Sequence, residues 1–294
     1  MSADSSMRVV LRKATLHLHT RAGDVRDDLP VLLFLHYFGG SGRSWIPVMD
    51  LLACGDFYCI APDLRGFGES LATTDRARDY SVRSWSNDVV ELTRFLALRR
   101  FVLVGHSMGG KIALMVAARA PAGLEAVVLV APSPPTAEPM PAKERARLLE
   151  GYGDAAAARQ TLRKITAQPL SRARVALAVE DNLRTSPAAW RAWLERGSRE
   201  NISAKLNAVN APVSIIVGGA DETITASLVR REINARLRLH TVVHTIPNAG
   251  HLLPLEAPKA TADFIERSVP FVNICAGVGS HGGVDQTIAA AAVR

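Results

Sequence analysis

Cysteine is scarce in this chain: Cys54, Cys59 and Cys275 are the only three in 294 residues. The number is odd, the spacing matches no metal-ligand motif, and none stands beside a catalytic partner. A disulfide framework or a cysteine-held metal is therefore not expected, and a reducing compartment fits this usage, with Cys54 and Cys59 packed as small apolar residues. Long apolar runs are missing as well. No stretch reaches the roughly 18 residues of a membrane span, and residues 1–8 hold no apolar segment of signal-peptide length. A cytoplasmic protein without a membrane partner is the default expectation. Basic runs are also absent. The formal charge of +7 comes from scattered arginines such as Arg21, Arg76, Arg145, Arg163, Arg184 and Arg230. A nucleic-acid footprint would cluster such charges on one face, so none is expected; the charge serves solubility and weakly favours anionic substrates.

What is present is an ordinary globular composition, with 48% hydrophobic and 21% charged residues, enough to bury a large interior without metals or disulfides. The length exceeds the usual single-domain prior, and one core with an inserted subdomain accommodates it. Short β-branched and Leu-rich runs at 8–11, 15–20, 31–35, 58–61, 101–104, 126–130, 213–217 and 241–246 read as strands. The first two alternate as edge strands do, and the other six read as core. Helical patterns fill the gaps at 44–53, 81–98, 107–119, 225–236 and 258–267, several opening on a capping Ser or Thr. This alternation predicts an α/β fold, a mostly parallel eight-stranded sheet flanked by helices. It stops between residues 131 and 211, where a Pro-rich stretch precedes an Ala- and Arg-rich one with helical spacing. The expected organisation is a core of 8–131 and 211–268, a helical cap at 132–210, and a peripheral Gly- and Ala-rich tail at 269–294.

Gly105-His106-Ser107-Met108-Gly109 follows a predicted strand and opens a predicted helix, the context of a G-x-S-x-G nucleophile elbow. The glycines clear space at the crossing of strand and helix, so that Ser107 presents its hydroxyl above the sheet. The same residues also suit a plain tight turn with Ser107 as a helix cap, and the partners downstream favour the nucleophile. A serine hydroxyl needs a base within reach and a third group to hold that base. In this architecture the chain order is Ser, acid, His, which selects Asp221 in Gly218-Gly219-Ala220-Asp221 and His251 in Asn248-Ala249-Gly250-His251. Asp221 is also suited to capping beside Thr223 and Thr225; Glu222 is the reserve acid. His17, His19, His240 and His244 read as surface or packed residues, and His106 is expected to point away from the elbow. Oxyanion donors are assigned to the Met108 N–H and to the Phe38 N–H in the loop His36-Tyr37-Phe38-Gly39-Gly40. His36 is expected to brace that loop.

With these motifs in view, the sequence resembles the α/β-hydrolase superfamily over about residues 16–267, nearest to its small serine esterases and cofactor-free haloperoxidase or perhydrolase-like members. Ala61-Pro62-Asp63-Leu64-Arg65-Gly66-Phe67-Gly68 resembles the family's loop after the next strand, with Arg65 paired internally. Tyr37 departs from the family pattern, standing where a Gly often precedes the oxyanion residue. A serine nucleophile separates the chain from the dehalogenases and epoxide hydrolases of the superfamily, which use a carboxylate. The resemblance implies a carboxylesterase acting on small to medium acyl esters through an acyl-enzyme, needing no metal or organic cofactor. A perhydrolase, a lactonase and a carbon-carbon bond hydrolase stay open, as does a non-catalytic ligand-binding protein. Tyr37, Met140, Leu183, Trp190 and Trp193 are the expected pocket lining, although Trp190 and Trp193, at i and i+3, also suit helix packing. The oligomeric state is left open.

Overall fold

The computed structural model describes residues 5–22, 29–54, 57–238 and 241–270. Its strands are β1 (Ser5–Val10), β2 (Ala14–Ala22), β3 (Val31–Leu35), β4 (Tyr58–Pro62), β5 (Leu71–Ala72), β6 (Phe101–His106), β7 (Leu124–Val130), β8 (Val213–Gly218) and β9 (Val243–Ile246). They form one sheet in the order β1-β2-β4-β3-β6-β7-β8-β9, with the two-residue β5 paired to β2. Eight strands on the main path match the expected count, and β5 is too short to leave a periodic signal. β2 runs antiparallel to β1, β4 and β5; from β4 to β9 every pairing is parallel.

Two strand positions correct the sequence reading. The 15–20 segment looks like an edge, yet β2 lies between β1 and β4, and His17, His19, Thr20 and Arg21 are buried there. The 241–246 segment looks like core, yet β9 closes the far edge, and His244 and Thr245 are exposed. Alternation reports which faces are covered and is silent on how many neighbours a strand has.

The helices are α1 (Ile46–Ala53), α2 (Val82–Phe95), α3 (Met108–Ala117), α4 (Ala142–Glu150), α5 (Ala155–Ile165), α6 (Arg172–Arg184), α7 (Pro187–Glu195), α8 (Ala226–Glu232), α9 (Leu253–Glu256) and α10 (Pro258–Ser268). Side chains leave the central strands alternately. Leu33, Leu35, Leu103 and Leu129 join Val89 of α2 and Ile112 of α3 on one face. Leu32, Phe34, Val102 and Val104 join Met49 of α1 and Ile265 of α10 on the other. Burial on both faces explains why these strands read as unbroken apolar runs; each such side chain contributes about 1.5–3 kcal/mol. Ser81 caps α2 in a reciprocal capping box with Ser84, and Thr225 caps α8.

Between β7 and β8 the chain leaves the sheet and forms α4 to α7. Cys59 is buried in β4, whereas Cys54, expected to pack, is exposed at the end of α1, where the helix face turns to solvent. His240, Cys275, His281 and most of the predicted tail lie outside the described residues. Among the described residues no helix is long and apolar enough to cross a membrane.

Candidate active site

Parallel pairing sets the carboxyl ends of β3, β6, β8 and β9 along one edge, where the following loops gather. Ser107 stands at the β6–α3 turn with φ 52° and ψ −115°, a left-handed conformation that costs about 1–3 kcal/mol for a side chain other than Gly. Packing holds it there. A Cβ on Gly105 would lie 2.5 Å from the Gly109 carbonyl oxygen, and one on Gly109 would run into the Leu35 carbonyl of β3. Only glycine at both positions lets α3 start this close to the sheet.

The Ser107 hydroxyl donates to His251 Nε2 at 2.9 Å, and His251 Nδ1–H donates to Asp221 Oδ2 at 2.7 Å. All three residues are more than nine-tenths buried. The other carboxylate oxygen of Asp221 accepts from the Thr223 and Ile224 N–H groups at 2.8 and 2.9 Å. The two readings of Asp221, partner of an imidazole and cap of a turn, are thus both present, one on each oxygen. Glu222, the reserve acid, lines the outer cavity and is exposed.

Burial works against charge on this imidazole, and the Asp221 carboxylate, with Glu138 and Glu256 beyond it, outweighs burial and raises the His251 pKa above its ordinary value. Burial alone would likewise raise the Asp221 pKa; the imidazole and the two backbone donors hold it below the usual carboxylate range.

The loop after β3 is braced as expected. His36 Nε2 accepts from the Leu64 N–H at 3.0 Å, so its Nδ1–H donates to the Tyr37 carbonyl at 2.7 Å. Burial pushes its pKa down to about 4, which keeps the ring in that neutral tautomer. Phe38 then sits 4.4 Å from the Trp190 ring and 6.2 Å from the Trp193 ring, centroid to centroid, so α7 packs on the loop that carries the assigned oxyanion donor. Met108 opens α3, and its N–H has no place in the helical ladder.

Ser107 and His251 lie on the wall of a cavity of about 530 Å³ beneath the inserted helices. Tyr37, Phe38, Met140, Trp190 and Trp193 line it. Tyr37 also packs under Gly40 and against Leu162 and Leu252, so one ring serves both cavity wall and core. The tryptophans play the same double part: Trp193 meets Trp85 in the core at 6.1 Å, and Trp190 Nε1–H donates to the Leu148 carbonyl at 2.9 Å. Leu183 does not belong to this wall. It is 38% exposed, and its neighbour Asn182 faces the cavity instead; one residue along a helix turns the side chain by about 100°.

Two supporting residues, Glu256 and Asp181, escaped the sequence reading. Glu256 accepts four backbone N–H bonds, from Leu252 on Oε1 and from Gly250, Ala167 and Gln168 on Oε2, at 2.8–3.0 Å. With the His251 N–H donating to the Ile165 carbonyl at 2.8 Å, this ties the histidine loop to the end of α5. His106 does point away from Ser107; its Nε2–H donates to the His251 carbonyl at 2.8 Å, and burial lowers its pKa to about 3. Asp181 of α6, fully buried, accepts from Ser41 Oγ at 2.8 Å and Arg43 Nε at 2.9 Å, anchoring α6 beside the β3 loop. Glu256, two residues after Pro254 and five after His251, is the one an adjacency argument would have flagged. Arg65 pairs internally as expected, its Nε donating to Asp88 at 2.8 Å.

This geometry can deprotonate a serine and hold the resulting imidazolium. Comparison with known proteins identifies the family. The family model described as the alpha/beta hydrolase family matches residues 32–264. A Variovorax paradoxus (strain S110) protein named for carbamate hydrolysis is 28% identical over 248 residues, 80% of this chain and 89% of that one. An uncharacterised Mycobacterium tuberculosis protein is 36% identical over 121 residues, covering 41% of this chain; the chain spans about a third of that relative's length, 34%. Among solved structures, a bromoperoxidase from Bacillus anthracis superposes with a TM-score of 0.76 at 19% identity, covering 90% of this chain and 98% of that one. That likeness is one of fold alone. The chain belongs to the alpha/beta hydrolase family.

Proposed function

We propose that this enzyme is a serine-dependent carboxylic ester hydrolase, with Ser107 as nucleophile, His251 as general base and Asp221 as its orienting acid. The observation that carries this reading is the hydrogen-bonded series from Ser107 Oγ through His251 to Asp221 at the wall of the cavity. His251 takes the hydroxyl proton as Ser107 Oγ attacks the substrate carbonyl, and the Phe38 and Met108 N–H groups hold the oxyanion. The imidazolium returns the proton to the departing alcohol, leaving an acyl-serine. Water, activated by the same imidazole, then releases the acid and restores Ser107. The substrate is a small molecule of small to medium acyl length, held by the largely apolar wall of Met140, Leu148, Leu162 and Trp190. The likeness to a protein named for carbamate hydrolysis favours a second reading within the same chemistry, attack on a carbamate carbonyl in place of an ester.

Turnover of p-nitrophenyl acetate, butyrate, octanoate and N-methylcarbamate by the wild type and Ser107→Ala tests the proposal. Ester turnover lost in the variant supports it. Carbamate turnover without ester turnover moves the assignment to the second reading, and turnover of any substrate unchanged in Ser107→Ala removes the nucleophile.

A further inference from the structure

Of the three carboxyls that line the cavity, Glu138, Glu144 and Glu222, the proposed steps use none, and one is tied to the Ser107 turn. Glu138 lies in the stretch between β7 and α4, and it lines the same cavity as Ser107 and His251. Its place is fixed through the nucleophile turn itself. The Ser133 N–H donates to the Ser107 carbonyl at 3.0 Å, and the Ser133 hydroxyl donates to Glu138 Oε1. The Glu138 N–H is held by the Ser198 carbonyl at 2.8 Å.

The next cation does not reach it. Lys111, buried in the first turn of α3, gives its ammonium to the Thr136 carbonyl at 3.0 Å, and among the described residues no ion pair joins it to Glu138. Arg145 donates to Leu194 and Ser198 instead. Among the described residues Glu138 Oε2 therefore has no hydrogen-bond donor, and the side chain lines the cavity. A carboxyl oxygen left free in a mostly apolar pocket costs desolvation unless something that enters the pocket satisfies it.

We propose that Glu138 is a specificity residue, and that the substrate of this hydrolase carries a hydrogen-bond donor, an N–H or O–H, a few bonds from the scissile carbonyl, which Glu138 Oε2 accepts. The inference rests on the ester-hydrolase reading and names the class of substrate within it. A plain alkyl ester fills the apolar wall and leaves Oε2 unpaired. An ester bearing an amide or hydroxyl near the reacting carbonyl pairs it, and that bond holds the carbonyl over Ser107. A pocket built around a donor discriminates against an analogue that lacks it more strongly than a greasy pocket discriminates by size.

The test compares pairs of esters that differ by N–H in place of CH₂. On the acyl side the pair is p-nitrophenyl N-acetylglycinate and p-nitrophenyl levulinate; on the alcohol side it is 2-acetamidoethyl butyrate and 4-oxopentyl butyrate. The wild type is expected to favour the N–H member of at least one pair roughly tenfold or more in kcat/KM, the effect of one charge-assisted bond. Glu138→Met is expected to lose that preference, the ratio of kcat/KM within the pair falling to about one, whatever its rate on the CH₂ member. Glu138→Gln, which keeps an acceptor oxygen, is expected to retain part of the preference and covers the case in which the methionine variant does not fold. Equal kcat/KM within both pairs for the wild type overturns the inference, as does a preference that survives in a folded Glu138→Met. Turnover of none of the four esters, with no fluorophosphonate labelling at Ser107, instead brings down the hydrolase assignment on which it rests.

Discussion

Ser107 spends conformational energy to be where it is, and in the proposed mechanism His251 sets the pH at which that placement becomes useful. A histidine whose pKa is raised in the folded enzyme stays protonated above its ordinary titration point and cannot act as a base there. Activity is therefore expected to fall as pH drops through the raised value, with the midpoint of the acidic limb of kcat/KM above 6.5. A pH profile on an ester whose chemistry is rate-limiting reads this directly. Asp221→Asn removes the charge that raises the pKa and leaves the burial that lowers it. The limb is then expected to move to lower pH while kcat falls by about 10⁴-fold, because the imidazole loses its tautomer. A limb that stays put in Asp221→Asn contradicts the charge argument. Ser107, Asp221 and His251 were legible in the sequence because each follows a strand on a Gly-containing turn, and crowded backbone leaves glycine as its mark. Leu183 was misread for the opposite reason: apolar character alone carries no direction around a helix.

Elements hold these residues through contacts that no local pattern announces. Glu256 acts by accepting N–H groups from Gly250, Leu252, Ala167 and Gln168, so its partners lie up to 89 residues away. Glu256→Gln replaces one acceptor oxygen with donor hydrogens facing donors, and roughly 1–3 kcal/mol of stability is expected to go. Urea unfolding measures it, and a loss confined to stability with kcat intact would show that Glu256 does not hold the base in place. The β3 loop depends on α7 in the same way. Trp190→Ala removes the ring packed against Phe38, and kcat on p-nitrophenyl acetate is expected to fall by up to about 10²-fold as the proposed oxyanion donor loosens. Acetate is too small to feel the enlarged pocket, so an unchanged kcat there, in a variant shown to be folded, would assign Trp190 to packing alone.

At the scale of the whole molecule, Asp181 with Ser41 and Arg43 is a buried charged joint between α6 and the loop after β3. Removing one partner of a buried ion pair strands the other, so Asp181→Asn is expected to cost roughly 3–5 kcal/mol in denaturant unfolding. A cost below about 1 kcal/mol, the level of a surface pair, would mean that α6 is held by apolar packing. The sequence announced the parallel sheet and its nucleophile turn, because strand and helix periods survive in β3, β6 and α3. It announced helical spacing between β7 and β8 without showing which side chains cover the site, since α4 to α7 are amphipathic against a surface the sequence does not display. Edge and interior strands were exchanged at β2 and β9 for the same reason, neighbours being set by topology.

The most direct test of the central claim is to treat the enzyme with a fluorophosphonate and locate the adduct by mass spectrometry in wild type, Ser107→Ala and His251→Ala. The account requires an adduct on Ser107 in the wild type, none in Ser107→Ala, and labelling slowed by orders of magnitude in His251→Ala. An adduct on another residue, or Ser107 labelled equally fast without His251, would contradict it.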